Sequence, residues 1–234
     1  FDDVNVKLSQ PHGENDRFLA TCFRSQDALR WDPDRETFVD LDWGNQVWSA
    51  RWDRVYTPTL FGRVQAGYSR YRSRTSVNAF GTPVLYANRI RDLTARADLE
   101  YYGGPQHQVS AGAQLTRYWF EVGQSFNREQ LLDLSASPVL VSGHLQDEWR
   151  LDPLTTLRVG VRISHFSQGA RTDVMPRLGL SRALRHDLRL RLSAGSYRQY
   201  MQLVTTEGFT GTDFWVPLDG SVDPGRALQG VIGL

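Results

Sequence analysis

Apolar and polar side chains alternate with a period of two through most of the chain, the spacing of strands that keep one face dry and the other wet. Over residues 92 to 101 one face carries Leu93, Ala95, Ala97, Leu99 and Tyr101, and the other carries Asp92, Thr94, Arg96, Asp98 and Glu100. Val109, Ala111, Ala113 and Leu115 stand against Gln108, Ser110, Gly112, Gln114 and Thr116 in the same way. Leu157, Val159, Val161 and Ile163 oppose Arg158, Gly160, Arg162 and Ser164; Leu188, Leu190, Leu192 and Ala194 oppose Arg189, Arg191, Ser193 and Gly195. With their turn residues, such segments predict about eleven strands. They lie near residues 2–10, 17–29, 43–53, 59–72, 89–102, 107–120, 136–150, 156–167, 174–184, 188–199 and 227–234. Connections after odd-numbered strands are short, around Gly13, Tyr56, Gly103-Gly104, Asp152-Pro153 and His186. Those after even-numbered strands are expected to be longer, around Arg35, Phe80, Asn127 and Gly211, the one near Ala170 being brief.

Two architectures accommodate this pattern. A soluble sandwich turns its apolar faces into a core and has loops of any length at both ends. An outer-membrane barrel turns the apolar face to lipid and the polar face to a lumen, with short turns at one rim and long loops at the other. Strands of about 10 to 14 residues exceed the usual globular length of about 5 to 6 and suit a tilted crossing of about 9 to 11. Trp52, Tyr101, Trp119 and Trp149 fall near strand ends, where amphipathic rings suit a membrane interface. With the loop asymmetry, these features favour an all-β, antiparallel up-and-down transmembrane barrel.

Composition removes some alternatives. The 234 residues are 40% hydrophobic and 23% charged, with a mean hydropathy of -0.44. No apolar run approaches the ~18 residues of a spanning helix; the longest uncharged stretch, Tyr101 to Thr116, is broken by Gly103, Gly104, Pro105 and several glutamines. The low hydropathy does not exclude a barrel, because alternate polar side chains dilute it. Lys and Arg total 27 against 26 Asp and Glu, so there is no basic footprint for nucleic acid. Lys7 is the only lysine, and the lone Cys22 has neither a disulfide partner nor a metal-ligand spacing. The chain begins at Phe1 and stops at Leu234 inside an alternating apolar stretch, which is read as a fragment.

Several segments carry a resemblance. VSGHLQDEWRLDPLTTLRVGVRISHF, Val141 to Phe166, resembles the barrel of TonB-dependent outer-membrane receptors, in which a QDEW-like strand end, a tight turn and a strand ending in G-x-R recur; Gln146, Asp147, Glu148, Trp149, Gly160 and Arg162 carry the match. MPRLGLSRAL at 175–184, LRLRLSAGSYRQYMQLV at 188–204 and TDFWVPLDGSVDPGRALQGVIGL at 212–234 resemble later hairpins of that barrel. DVNVKLSQ and DRFLATCFRSQDAL resemble its hairpin style less specifically. The resemblance implies about half of a barrel of about 22 strands, with the plug domain absent from this chain. It implies a receptor in the Gram-negative outer membrane that takes up a scarce ligand such as a ferric siderophore, cobalamin or a glycan. Its partners would be outer-membrane lipid and, through a plug, the TonB complex. No catalysis and no cofactor are implied. Another outer-membrane barrel, a passive porin or an assembly factor, and a soluble β-sandwich acting as carbohydrate-binding module or adhesin stand as alternatives.

Under the barrel reading, Asp92, Arg96, Asp98, Glu100, Arg158, Arg162, Arg189 and Arg191 line the lumen, since an arginine on the lipid face at mid-bilayer costs about 2 to 4 kcal/mol. Asp147 falls on the apolar register and is tolerable only near a strand end. Asp98 with Glu100, or Asp147 with Glu148, have the residue types of a glycosidase pair, yet carboxylates two apart on a strand share a face wherever a lumen is lined. The five histidines show no HExxH or other zinc spacing. No serine or Cys22 sits in a nucleophile elbow. YSRYRSR, Tyr68 to Arg74, interleaves aromatics and arginines as single-strand nucleic-acid grooves do, and equally suits a strand end at an interface. SYRQY at 196–200 and TDFW at 212–215 offer aromatic and hydrogen-bonding groups at the outer mouth, making Arg198, Tyr200, Asp213 and Trp215 the candidate ligand contacts.

Overall fold

A computed structural model describes residues 1–33, 37–79, 81–205 and 213–234. Fourteen strands follow one another: β1 (Asp2–His12), β2 (Asp16–Trp31), β3 (Phe38–Thr57), β4 (Leu60–Ala79), β5 (Thr82–Tyr102), β6 (His107–Phe126), β7 (Glu129–Ala136), β8 (Val139–Asp152), β9 (Thr155–Phe166), β10 (Arg171–Ala183), β11 (Arg189–Gln199), β12 (Met201–Val204), β13 (Phe214–Pro217) and β14 (Gly225–Gly233). One antiparallel sheet runs in the order β1-β2-β3-β4-β5-β6-β8-β9-β10-β11-β14, with β7 on β6, while β12 and β13 form a separate ribbon. Eleven of these strands form the wall, each paired with its neighbour in sequence, so the chain is a meander, and the sheet is open at β1 and β14.

Period-two patterning becomes sidedness because antiparallel pairing aligns whole ranks of side chains. Ala66, Ala95 and Leu115 face one another across β4, β5 and β6, as do Val64, Ala97 and Ala113. This rank continues into Val141 on β8 and His165 on β9 for the first row. The large apolar members of these ranks are exposed: Val64 is 47%, Leu115 50% and Val141 47% exposed. A continuous apolar surface of this size marks an interaction with another phase or partner. From Leu93 to Tyr101 the band advances about 27 Å along β5, or about 20 Å along the membrane normal at a tilt of ~40°. At its lower rim Trp52 Nε1 donates to Asp16 at 2.7 Å, Arg54 lies over the rings of Trp52 and Tyr56, and Trp149 stacks on His107 at 5.4 Å. Rings with a polar handle suit the interface between lipid and water.

The connections depart from expectation at one rim. At the other rim every connection is tight, as predicted. At the rim where long loops were expected, Asn127 and Arg128 alone join β6 to β7, both at positive φ, 47° and 69°, the two-residue turn whose twist matches the strands it joins. The polar residues expected there as loop instead lengthen strands: β3, β4 and β6 have 20 residues and β5 has 21, so this part of the wall stands well beyond the apolar band. Arg35, Phe80 and Gly211 lie outside the described residues. The strand expected over 136–150 is β8, preceded by the unexpected β7. Ala136 pairs with Phe120 and Val139 with Arg117 in one register, so β7 and β8 are one line of chain interrupted at Pro138, which has no amide to give. Its carbonyl still accepts from Tyr118 N at 2.9 Å.

Candidate functional site

The polar face of the wall holds all eight residues expected to line a lumen. Asp92 accepts from Ser69 Oγ and from Thr94 Oγ1. Arg96 Nε donates to Asp98 at 2.6 Å, and His144 Nε2 stands 3.8 Å from the same carboxylate. Gly112 makes that meeting possible: a Cβ there would run into Asp98, the His144 ring and the carbonyl of Ala97. Glu100, Arg96 and Asp98 share a recess with Arg63, Arg162 and Arg177. Arg158 pairs with Glu148 across β8 and β9, and a second recess places Arg158 beside Arg189 and Arg191. Arg162 reaches Gln114 at 3.4 Å; among the described residues no carboxylate lies within ion-pair distance of Arg162 or Arg177. The first recess therefore keeps spare positive charge toward the interior.

Asp147 sits on the apolar face near the lower rim, as its register required, and its charge is answered there by His107 Nδ1 at 2.8 Å. That contact joins the starts of β6 and the end of β8.

At the opposite rim the chain builds a second polar centre around Asp173. β11 leaves its partner β10 after the Gly195–Arg177 pair. Beyond it Arg198 and Tyr200 turn onto inner residues of β9 and β10. Arg198 Nε donates to Asp173 Oδ1 at 2.9 Å, and Tyr200 Oη donates to Asp173 Oδ2 at 3.1 Å. The Tyr200 ring stacks on Phe166 at 5.1 Å and 18°; Tyr200 is 8% exposed and Phe166 2%. Burial, then the hydrogen bond to Asp173, pushes the Tyr200 hydroxyl up to about 12. Below them Ser164 Oγ donates to Ser142 Oγ at 2.9 Å.

This centre anchors the β12–β13 ribbon. The Tyr200 carbonyl accepts from Leu218 N at 3.0 Å, closing the ribbon at its base, where Met201 pairs with Pro217. Arg171 Nη1 meets Asp223 at 2.5 Å just beyond. β13 lies against β5 and β6, so the β12–β13 ribbon folds back against the upper wall. Of the four expected ligand contacts, Arg198 and Tyr200 come together on Asp173, while Asp213 and Trp215 lie at the start of β13 and are exposed. Asp173 and Phe166 were missed by the sequence reading. Each is one member of an alternating strand, and nothing in local spacing says that a residue 25 or more positions away will close on it.

A family model described as "TonB dependent receptor-like, beta-barrel" matches residues 4–225. The chain belongs to this family. It is thus part of a Gram-negative outer-membrane β-barrel, in a family of receptors and not of enzymes. Solved structures share the fold. The ferric yersiniabactin uptake receptor FyuA from Yersinia pestis is 14% identical with a TM-score of 0.71, over 99% of this chain and 42% of that one. BauA, the ferric preacinetobactin receptor from Acinetobacter baumannii, is 12% identical with a TM-score of 0.63, over 98% and 44%. The RagAB peptide transporter is 10% identical with a TM-score of 0.64, over 98% and 37%. The chain spans less than half the length of these structures. No curated protein sequence matches it.

Proposed function

We propose that the chain is part of the wall of an outer-membrane receptor that imports a scarce ligand with energy supplied through TonB. The family match over residues 4–225 carries the reading. FyuA and BauA are named for ferric siderophores and RagAB for peptides, which supports a polar ligand taken from outside. In this reading the sheet continues beyond β1 and β14 into a barrel of about 22 strands around a plug that is not among these residues. The plug meets the recess of Arg96, Arg162 and Arg177 with carboxylates or backbone carbonyls, and it is the plug that contacts TonB. Of the four mouth residues, Asp213 and Trp215 touch ligand, whereas Arg198 and Tyr200 act by holding the ribbon that carries them.

The test is uptake by cells that depend on the full-length protein, measured with a panel of ferric siderophores, cobalamin, glycans and peptides. Accumulation of one class above its outside concentration, abolished by collapse of the proton-motive force or loss of TonB, is the expected result. Equilibration that persists without TonB would show a passive pore. Asp213→Ala and Trp215→Ala are expected to raise the half-saturating concentration about tenfold with no loss of barrel from the membrane.

A further inference from the structure

Above Asp92 the inner face of the wall changes character. Pairing across β2 to β6 places four further ranks on that face, from the rank of Asn45, Tyr71 and Phe120 up to that of Trp31, Val77 and Phe126. The four ranks hold six aromatic residues, one carboxylate, Asp27, and no arginine, lysine or histidine. Deeper in the lumen the inner wall is the reverse, with Arg63, Arg96, Arg162 and Arg177 around one recess. Part of the upper surface is covered: Val77, Phe120 and Val122 are buried, and β13 lies against β5 and β6. On β2 and β3 it is open, with Trp43 37%, Leu29 54% and Trp31 57% exposed. Asp27 stands directly opposite Trp43, which brings their Cβ atoms to about 5 Å. Among the described residues its carboxylate has no hydrogen bond and no ion pair. From Asp27 to Trp31 the open patch runs about 13 Å up β2. On the ribbon, the exposed Asp213 and Trp215 repeat the combination of carboxylate and indole.

A half-buried carboxylate beside an open indole, with no cation of the protein near it, is one half of a recognition pair. The face of an indole attracts a cation through the ring quadrupole, more strongly where water is excluded, and the carboxylate adds a full opposite charge. An anionic group meets the opposite situation on these ranks, since Asp27 repels it and no basic side chain is present to pair with it. The arginines deeper in the lumen repel a cation in turn, so the change of sign along the inner wall holds a cationic group at the mouth. We propose that Asp27, Trp43 and Trp31 form a seat for a cationic, aryl- or alkyl-bearing group of the imported ligand, an organic ammonium rather than an anionic chelate. What occupies the seat rests on the import reading; its charge preference rests on the pairing register alone.

The test uses the full-length protein in a non-ionic detergent, titrated with phenyltrimethylammonium and with benzenesulfonate, the same ring carrying opposite charges. Binding is followed by saturation-transfer NMR on the probe, with empty micelles as the blank. Phenyltrimethylammonium is expected to saturate at a concentration at least about tenfold below benzenesulfonate. Asp27→Asn, which keeps the shape and removes the charge, brings the two probes to within a few-fold of each other, and Asp27→Glu restores the preference. Trp43→Ala weakens phenyltrimethylammonium about tenfold. Equal saturation by the two probes, or no saturation by either, overturns the proposal on the unaltered protein, without any variant having to fold. So does a preference that Asp27→Asn leaves unchanged, because the cation would then be held elsewhere. The outcome is separable from that of the import reading. Uptake that persists without TonB sinks import and leaves the probe preference standing, whereas TonB-driven uptake of an anionic ligand that phenyltrimethylammonium does not inhibit leaves import standing and sinks the seat.

Discussion

Asp173 shows how one residue organises a part of the molecule that alternation does not describe. It accepts from Arg198 and Tyr200 together, and each of its oxygens has one donor. With its hydroxyl buried beside that carboxylate, Tyr200 is pushed up to about 12 from an ordinary value of 10.0. For an acid whose folded value is raised, the neutral form is the one that folding favours, so its contribution is fully present below about pH 10 and is lost as pH rises through about 12. A difference titration of tyrosinate absorbance, the protein minus its Tyr200→Phe variant, is expected to show one phenol ionising near 12. Asp173→Asn is expected to bring that step down toward 10, leaving only the effect of burial. A Tyr200 step already at 10 in the unaltered protein would mean that neither the burial of the ring nor the contact with Asp173 holds. Arg198 and Tyr200 stood out in the sequence as a cluster of aromatic and basic residues, but their partner did not, because the ion pair is made between β10 and a strand end 25 residues later.

The strands themselves were legible because a half-exposed sheet obliges every second residue to declare its face. All eleven predicted crossings exist, and their lower turns lie within a few residues of the expected places. What the pattern did not reveal was where crossing ends and wall continues. Once a strand has left the lipid, both faces meet water or protein, the alternation loses its apolar half, and residues such as Ser73-Arg74-Thr75-Ser76, beyond the expected strand end at 72, read as loop although they pair with β3 and β5 throughout. Sidedness at mid-band can be tested on adjacent positions of β5. Ala97 faces lipid in the rank of Val64 and Ala113, whereas Arg96 faces the interior and pairs with Asp98. Ala97→Arg is expected to destabilise the full-length protein by about 2 to 4 kcal/mol. Arg96→Ala removes a partly exposed arginine from its pair with the more buried Asp98 and is expected to cost about 1 kcal/mol. Urea unfolding in liposomes, followed by tryptophan fluorescence, compares the two; equal costs would place the bilayer elsewhere on the wall.

At the scale of the whole molecule, the decisive fact is that the sheet has two edges. A wall in lipid has no water to satisfy a free strand edge, which is why membrane sheets close. β1 and β14 each pair on one side only, and both are exposed along their length, with Leu8 66%, Leu228 69% and Ile232 77% exposed. Each edge therefore presents a ladder of backbone donors and acceptors beside an apolar face, the combination that recruits further strands. Neither edge carries the devices that soluble proteins use against this: β1 has its single lysine at Lys7 and its proline only at Pro11, close to the turn, and β14 runs GRALQGVIG with one charge, Arg226. The 234-residue chain produced alone in buffer without detergent is expected to associate through these edges into polydisperse, β-rich assemblies, detectable by size-exclusion chromatography with light scattering. Embedded in the full-length protein, where β1 and β14 have neighbours, the same residues should form part of a monodisperse barrel in detergent. A soluble, cooperatively unfolding monomer of the 234 residues would contradict both expectations, because such a species must bury the apolar face against itself, and no second layer covers that face among the described residues.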